Sequence, residues 1–147
     1  MKFGLRIRFT DVLVDGSLHN EYVNGKRSGY GFDIRLGYYR GHFLSDIEEL
    51  NLLVDGEPVP RQEVRFGLNG KEFSVEELRD AYNEFWRLLD AASITVRKAG
   101  GLSAGAHQVK LDMWLRIPYL PLPGGENDHA YMPLDNCEEK AMLLVEA

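Results

Sequence analysis

The stretch Gln108-Val109-Lys110-Leu111-Asp112-Met113-Trp114-Leu115-Arg116-Ile117 decides the fold class. Val109, Leu111, Met113, Leu115 and Ile117 fall on one face, and Gln108, Lys110, Asp112 and Arg116 on the other. A strand sends alternate side chains to opposite faces, so this segment covers a core on one side and meets something polar on the other. Trp114 breaks the alternation by sitting with the polar set. Pro118 removes a backbone donor and ends the ladder, and Tyr119, Pro121 and Pro123 keep the exit extended and irregular.

Outward from that strand, the punctuation is that of antiparallel structure. Asp15-Gly16, Asn24-Gly25, Asp55-Gly56 and Asn69-Gly70 each separate strand-like runs, and such pairs accept the positive φ angles of tight hairpin turns. Phe32, Ile34, Leu36 and Tyr38 alternate with Asp33, Arg35, Gly37 and Tyr39, which predicts another amphipathic strand. Gly29 and Gly31 read as a bulge or a close backbone approach.

One helix is predicted, over about residues 75–89. Ser74 and Glu77 form a capping box, Phe73 packs on Leu78, and Leu78, Tyr82, Phe85 and Leu89 repeat at helical spacing beside Val75 and Trp86. Ile94 to Arg97 reads as a short strand. Residues 124–147 form a tail: a loop, an edge strand from Ala130 to Leu134, then Glu138 to Val145 as a short helix or a docking extension. The predicted fold is all-β, one antiparallel β-sandwich domain over 1–147 with one helix packed on it and a candidate docking tail.

Composition bounds the function. The chain has 147 residues, enough for one domain with a core, and a net charge of −6, which argues against nucleic acid. No apolar run reaches membrane-spanning length, and the N-terminus lacks a signal-peptide layout. Cys137 is the only cysteine, which excludes an internal disulfide and a cysteine-based zinc site. These features point to the cytoplasm, with no membrane partner.

No catalytic signature of a zinc protease, an α/β-hydrolase or a P-loop enzyme occurs. His19, His42, His107 and His129 are too far apart for local metal spacing. Asp46, Glu48 and Glu49 read as a solvated edge rather than an ion site. The residues with recognition chemistry are Tyr38, Tyr39, Arg40, Trp114, Arg116 and Tyr119, because aromatic rings stack on flat rings and sugar faces and guanidinium groups bond hydroxyls and carbonyls. Trp, Tyr and Arg are also enriched at subunit interfaces. Three settings for Trp114 are ranked in order: an interface, a ligand pocket, and a core covered by the helix.

The chain resembles the small, or beta, subunit of bacterial C-glycoside deglycosidases. The matching stretches are Phe32-Asp33-Ile34-Arg35-Leu36 through Tyr39-Arg40, then Ile47-Glu48-Glu49-Leu50 leading to Val54-Asp55-Gly56, then Phe66 to Gly70. They continue with the segment around Trp86, Gly101-Leu102, Gly105 to Val109, and Leu115-Arg116-Ile117-Pro118-Tyr119. Their order and spacing carry the likeness, since each alone is generic hairpin grammar. The resemblance implies a β-sandwich subunit with no catalytic residue and no metal of its own. It implies a larger alpha subunit, a sugar-isomerase-like TIM barrel holding a divalent metal, manganese by family. The complex would cleave the carbon–carbon bond between a 3-oxo sugar and an aromatic, flavonoid-type aglycone. Two competing classes are a stand-alone carbohydrate-binding module and a self-sufficient metal-dependent lyase or isomerase.

Overall fold

The computed structural model describes residues 4–6, 8–121 and 131–145; for 119–121 it describes the backbone alone. The strands run β1 (His19–Val23), β2 (Lys26–Ile34), β3 (His42–Phe43), β4 (Ile47–Val54), β5 (Glu57–Pro58) and β6 (Val64–Leu68). They continue as β7 (Lys71–Ser74), β8 (Phe85–Trp86), β9 (Ala92–Arg97), β10 (Gly105–Pro121), β11 (Tyr131–Asp135) and β12 (Glu138–Leu144).

Two antiparallel sheets enclose the core. One has the order β1-β2-β9-β6-β7; the other is β11-β10-β4-β5, with β12 also on β10. The quoted stretch lies in β10, the longest strand, which does not stop at Pro118 but continues past an irregularity to Pro121, paired with Tyr131. Val109, Leu111, Met113, Leu115 and Ile117 all turn inward and are fully buried. Leu50, Leu52 and Val54 of β4 pair across from Met113, Leu111 and Val109. Phe32 and Ile34 of β2, Phe66 of β6 and Ile94 of β9 belong to the same core. Each such side chain contributes roughly 1.5–3 kcal/mol by leaving water. This is the sandwich that the alternation predicts.

Three of the four turn pairs behave alike. Asn24-Gly25, Asp55-Gly56 and Asn69-Gly70 all have positive φ at both positions and join β1 to β2, β4 to β5 and β6 to β7. The fourth differs. At Asp15-Gly16 only Gly16 is left-handed, and the Ser17 N–H donates to the Val14 carbonyl at 3.3 Å. Leu13 makes a single bridge to Ile34, so Val12 to Val14 do not form a strand of their own. Gly29 marks a close approach: a Cβ there would lie 1.9 Å from the Val96 carbonyl oxygen. The β1–β2 register also shifts beside it.

The predicted helix is corrected. The capping box is present, with the Ser74 N–H donating to Glu77 Oε1 at 2.8 Å and the Glu77 N–H to Ser74 Oγ at 3.2 Å. What it caps is a short 3₁₀ helix, Glu76–Asp80, not a helix to residue 89. Beyond Ala81 the chain extends again, and Phe85-Trp86 pairs with Phe43 and His42. Trp86 is fully buried and its Nε1–H donates to the Asp90 carbonyl at 2.8 Å. Of the helical stripe only Leu78 is buried; Tyr82 is 65% and Leu89 90% exposed. A tryptophan that fits the end of the sandwich as a strand residue overrides local helix preference.

The described part of the tail returns along β10. β12 pairs with Gly105 to Leu111, and β11 with Trp114 to Arg116 and with Pro121. Glu138 to Leu144 is therefore strand, not helix. Between the two, buried Asn136 donates its N–H to the Met113 carbonyl and accepts the Gly37 N–H at Oδ1, at 3.0 and 2.9 Å. Among the described residues, no helix is long and apolar enough to cross a membrane.

Candidate functional site

After β2 the chain passes Leu36 and Tyr38, both buried, and reaches Tyr39 and Arg40 at one end of the sandwich. The rings of Tyr38 and Tyr39 meet at a tilt of 57° with centroids 4.4 Å apart. Phe9 meets the Tyr39 ring edge-on at 6.0 Å, and the Arg40 guanidinium carbon also lies 6.0 Å from its centroid. The two-stranded β3–β8 ribbon then places Phe43 against Phe85, with centroids 4.9 Å apart. Tyr39, Arg40, Gly41, His42, Phe43, Asp46, Phe85 and Pro118 line one groove of about 490 Å³.

Beneath the groove is a buried polar pair. His42 Nδ1 lies 3.2 Å from Asp46 Oδ2, and both residues are almost wholly buried. The other oxygen of Asp46 lies 3.5 Å from Arg116 Nη2, and Arg116 also reaches Glu48 Oε1 at 3.6 Å and the Ser45 carbonyl at 3.4 Å. Opposite a carboxylate, His42 Nδ1 carries a proton and donates it. His42 Nε2 is then a buried atom with no hydrogen-bond partner.

Five of the six candidates with recognition chemistry can be placed by their side chains. Tyr39 and Arg40 line the groove, Tyr38 backs Tyr39, and Arg116 braces Asp46 from below. Trp114 goes elsewhere. It is 9% exposed, its Nε1–H donates to Asp112 Oδ1 at 2.9 Å, and β11 pairs beside it. A Cβ on Gly4 would lie 2.7 Å from the Trp114 ring, so the N-terminal segment crosses it, held by the Leu5–Pro133 and Asp135–Leu5 backbone bonds. The cover is the chain's own N-terminus, not a helix. The side chain of Tyr119 and all of His129 lie outside the described residues.

His42, Asp46, Phe43 and Phe85 were missed as a group. His42 and Asp46 stand four residues apart, a spacing that is legible only once the turn Leu44–Asp46 is known to be 3₁₀. The acids at 46, 48 and 49 are not one cluster, because Asp46 is buried while Glu48 is exposed. Among the described residues, no three His, Cys, Asp or Glu side chains are grouped to hold a metal ion.

Two other titratable sites lie away from the groove, at His107 and Cys137. His107 Nδ1 lies 2.6 Å from Asp55 Oδ2 and Nε2 lies 2.7 Å from the Ser103 carbonyl. The Asp55 bond, opposed by burial, raises the His107 pKa, and the His107 bond lowers that of Asp55. Burial first, and then the Asp112 carboxylate 3.0 Å away, pushes the Cys137 thiol up, which keeps it from acting as a nucleophile.

Residues 9–119 match the family of C-glycoside deglycosidase beta subunits. The chain is 31% identical over 130 residues to the C-glycoside deglycosidase beta subunit of Eubacterium cellulosolvens, covering 83% of this chain and 88% of that protein. It is 43% identical over 98 residues to the 3'-dehydrocarminate deglycosidase beta subunit of a Microbacterium species, covering 66% and 73%. It is 32% identical over 118 residues to a C-glycoside deglycosidase beta subunit of Microbacterium trichothecenolyticum, covering 78% and 84%. The matched span holds every described residue that lines the groove, and the chain belongs to the C-glycoside deglycosidase beta subunit family.

Proposed function

We propose that this chain is the accessory beta subunit of a hetero-oligomeric C-glycoside deglycosidase, and that it assembles with a larger, sugar-isomerase-like TIM-barrel alpha subunit. The observation that carries the reading is the aromatic end of the sandwich in a member of this family. Phe9, Tyr39, Phe43 and Phe85 are all exposed there, beside Arg40. Exposed aromatic and arginine side chains gathered on one surface have the composition of an interface core.

The reaction proposed for the complex is cleavage of the carbon–carbon bond between a 3-oxo sugar and an aromatic, flavonoid-type aglycone. A C-glycosidic bond has no leaving oxygen to protonate, so two-carboxylate hydrolysis does not apply. A ketone at sugar C3 acidifies the C2 hydrogen, and a base removes it. The aryl carbon takes up a proton, the C1–aryl bond breaks, and its electron pair leaves with the aglycone as a new double bond forms between C1 and C2. A divalent metal on the alpha subunit, manganese by expectation, supplies stabilisation of the developing negative charge. The base belongs to that subunit too. The part of this chain is to brace the partner and wall the aglycone side of the site.

Co-expression with an alpha-type chain of this family, size-exclusion chromatography and a cleavage assay on a 3-oxo-C-glycoside test the reading. A hetero-oligomer active only with both chains supports it. A chain that stays alone and binds glycans is a carbohydrate-binding module instead. Turnover by this chain unaided would overturn the accessory role.

A further inference from the structure

We propose that the free edge of β12 is an interface between two copies of this chain, which pair antiparallel about Leu143 and join two sheets into one. The inference does not depend on the proposed function. The surface also lies away from the aromatic groove: Leu144 of β12 pairs with Gly105 at the start of β10, whereas Pro118, near its end, lines the groove.

The backbone shows which groups are free. Gln108 turns towards β4: its N–H donates to Asp55 Oδ1 and its carbonyl accepts the Asp55 N–H, both at 2.8 Å. Backbone groups alternate sides along a strand, so those of His107 and Val109 face β12, opposite Met142 and Lys140. The alternation continues on β12. Glu139, Ala141 and Leu143 therefore turn their N–H and carbonyl groups away from β10. Among the described residues, β12 has no partner strand except β10.

The other edges of the two sheets are blunted, as edges that avoid a second chain are. β1 has a register shift beside Glu21. β5 is two residues long and ends on Pro58, and β7 is four residues long and begins Lys71-Glu72. β11 contains Pro133 and is crossed by the backbone bonds of Leu5. β12 has seven residues and no proline. Its inward charges, Glu138 and Lys140, guard only the first half, where they bond the Leu13 N–H and Asp15. The second half reads Ala141-Met142-Leu143-Leu144, followed by Val145, with Leu143 58% and Val145 77% exposed.

The occupant follows from register. The free backbone groups belong to alternate residues, so an antiparallel copy must set 139, 141, 143 and 145 against the same set. Pairing about Leu143 places Leu143 against its own counterpart and Ala141 against Val145. Each such pair exchanges two backbone hydrogen bonds, with the exposed side chains meeting on the outer face. Pairing about Ala141 would set Leu143 against Glu139, and pairing about Met142 would set Val145 against Glu139. Only the register about Leu143 matches apolar residues with apolar residues.

The test is sedimentation equilibrium of the full chain over a range of concentrations. A dimer is expected to form, complete by about 1 mM for a contact with a micromolar Kd. Leu143 lies on the two-fold axis, so Leu143→Lys sets like charges face to face and is expected to weaken the dimer by about tenfold or more. Leu143→Glu is expected to do the same. An equimolar mixture of the two variants sets opposite charges on the axis and is expected to restore a mixed dimer. The position is exposed, so the unfolding midpoint of each monomeric variant should stay near that of the parent. A parent chain that stays monomeric throughout overturns the interface. A dimer that survives Leu143→Lys, or two variants that fail to associate when mixed, overturns the pairing about Leu143. A parent chain that never self-associates but loses its alpha subunit on Leu143→Lys gives the edge to that subunit and overturns the second copy as its occupant.

Discussion

Arg116 Nη2 lies 3.5 Å from Asp46 Oδ1, and His42 Nδ1 lies 3.2 Å from the other oxygen of the same carboxylate. The longest strand of one sheet is thereby tied to the turn that leads from β3 to β4. Asp46 is buried, and its negative charge is held by two cationic or donor groups, one of them largely desolvated. Asp46→Asn keeps the shape and removes the charge. It is expected to cost about 1.5–3 kcal/mol, the range for a hydrogen bond to a charged group. Arg116→Met should cost less, because that side chain is 37% exposed and water screens it. Urea unfolding of the two variants checks the order; an Arg116 variant weaker than the Asp46 variant would reverse the assignment of which group is the buried partner.

Trp86 and Leu89 separate the helix that the 75–89 stripe predicts from the structure that forms there. In a helix with the predicted stripe, Leu89 is core. In the structure, Trp86 is fully buried in β8 and Leu89, in the turn that follows, is exposed to solvent. Trp86→Ala is therefore expected to cost about 3–5 kcal/mol, and Leu89→Ser to lie within about 0.5 kcal/mol of the parent. A large loss at Leu89 in thermal or urea unfolding would restore the helix.

That segment also marks how far the sequence can be read. Strand alternation in β10 and the Asn-Gly and Asp-Gly pairs are local signals with long-range consequences, because one face of each strand must be buried. The capping box is local too, and it is present where Ser74 and Glu77 place it. What no local pattern states is how far the helix runs, since that depends on Trp86 finding His42 across the ribbon. The candidate site divides in the same way. Tyr39, Arg40 and Arg116 carry their chemistry in their residue type. His42 and Asp46 become a pair only when the turn between them is closed and both are buried. Trp114 is covered by Gly4 and Leu5, residues more than a hundred positions away in sequence.

His107 and Asp55 give a pH dependence whose sign is fixed. The folded-state pKa of His107 is raised above 6.5, first by the Asp55 bond. Its contribution is fully present below about 6.5 and is lost as the pH rises through the higher folded value. The Asp55 pKa is lowered below 3.8, first by the His107 bond, so its contribution is present above about 3.8 and is lost as the pH falls through the lower folded value. His107→Gln should consequently narrow its stability deficit between pH 5.5 and pH 9. His19, whose pKa is also raised, is unchanged in both proteins and cancels from the difference. A deficit that stays constant or grows towards pH 9 would show that the pair is not charged in the folded protein.

Assembly with the alpha subunit should depend on the exposed aromatic end and not on Trp114. Phe9 and Tyr39 meet at 6.0 Å on the surface, where neither supports the core. If they form the centre of the contact, the double change Phe9→Ala and Tyr39→Ala is expected to weaken hetero-association by about thirtyfold or more, as a hot-spot loss of about 2 kcal/mol implies. The unfolding midpoint of this chain alone should move little. Trp114→Ala is expected to act the other way round. It removes a ring packed beneath the N-terminal segment, lowers the stability of the isolated chain by about 3 kcal/mol, and affects assembly only as far as the fold is lost. Measuring both variants by denaturant unfolding and by analytical ultracentrifugation with the alpha subunit separates these effects. Strong loss of association in a Trp114 variant of unchanged stability would move the interface from the aromatic end to the outer face of β10.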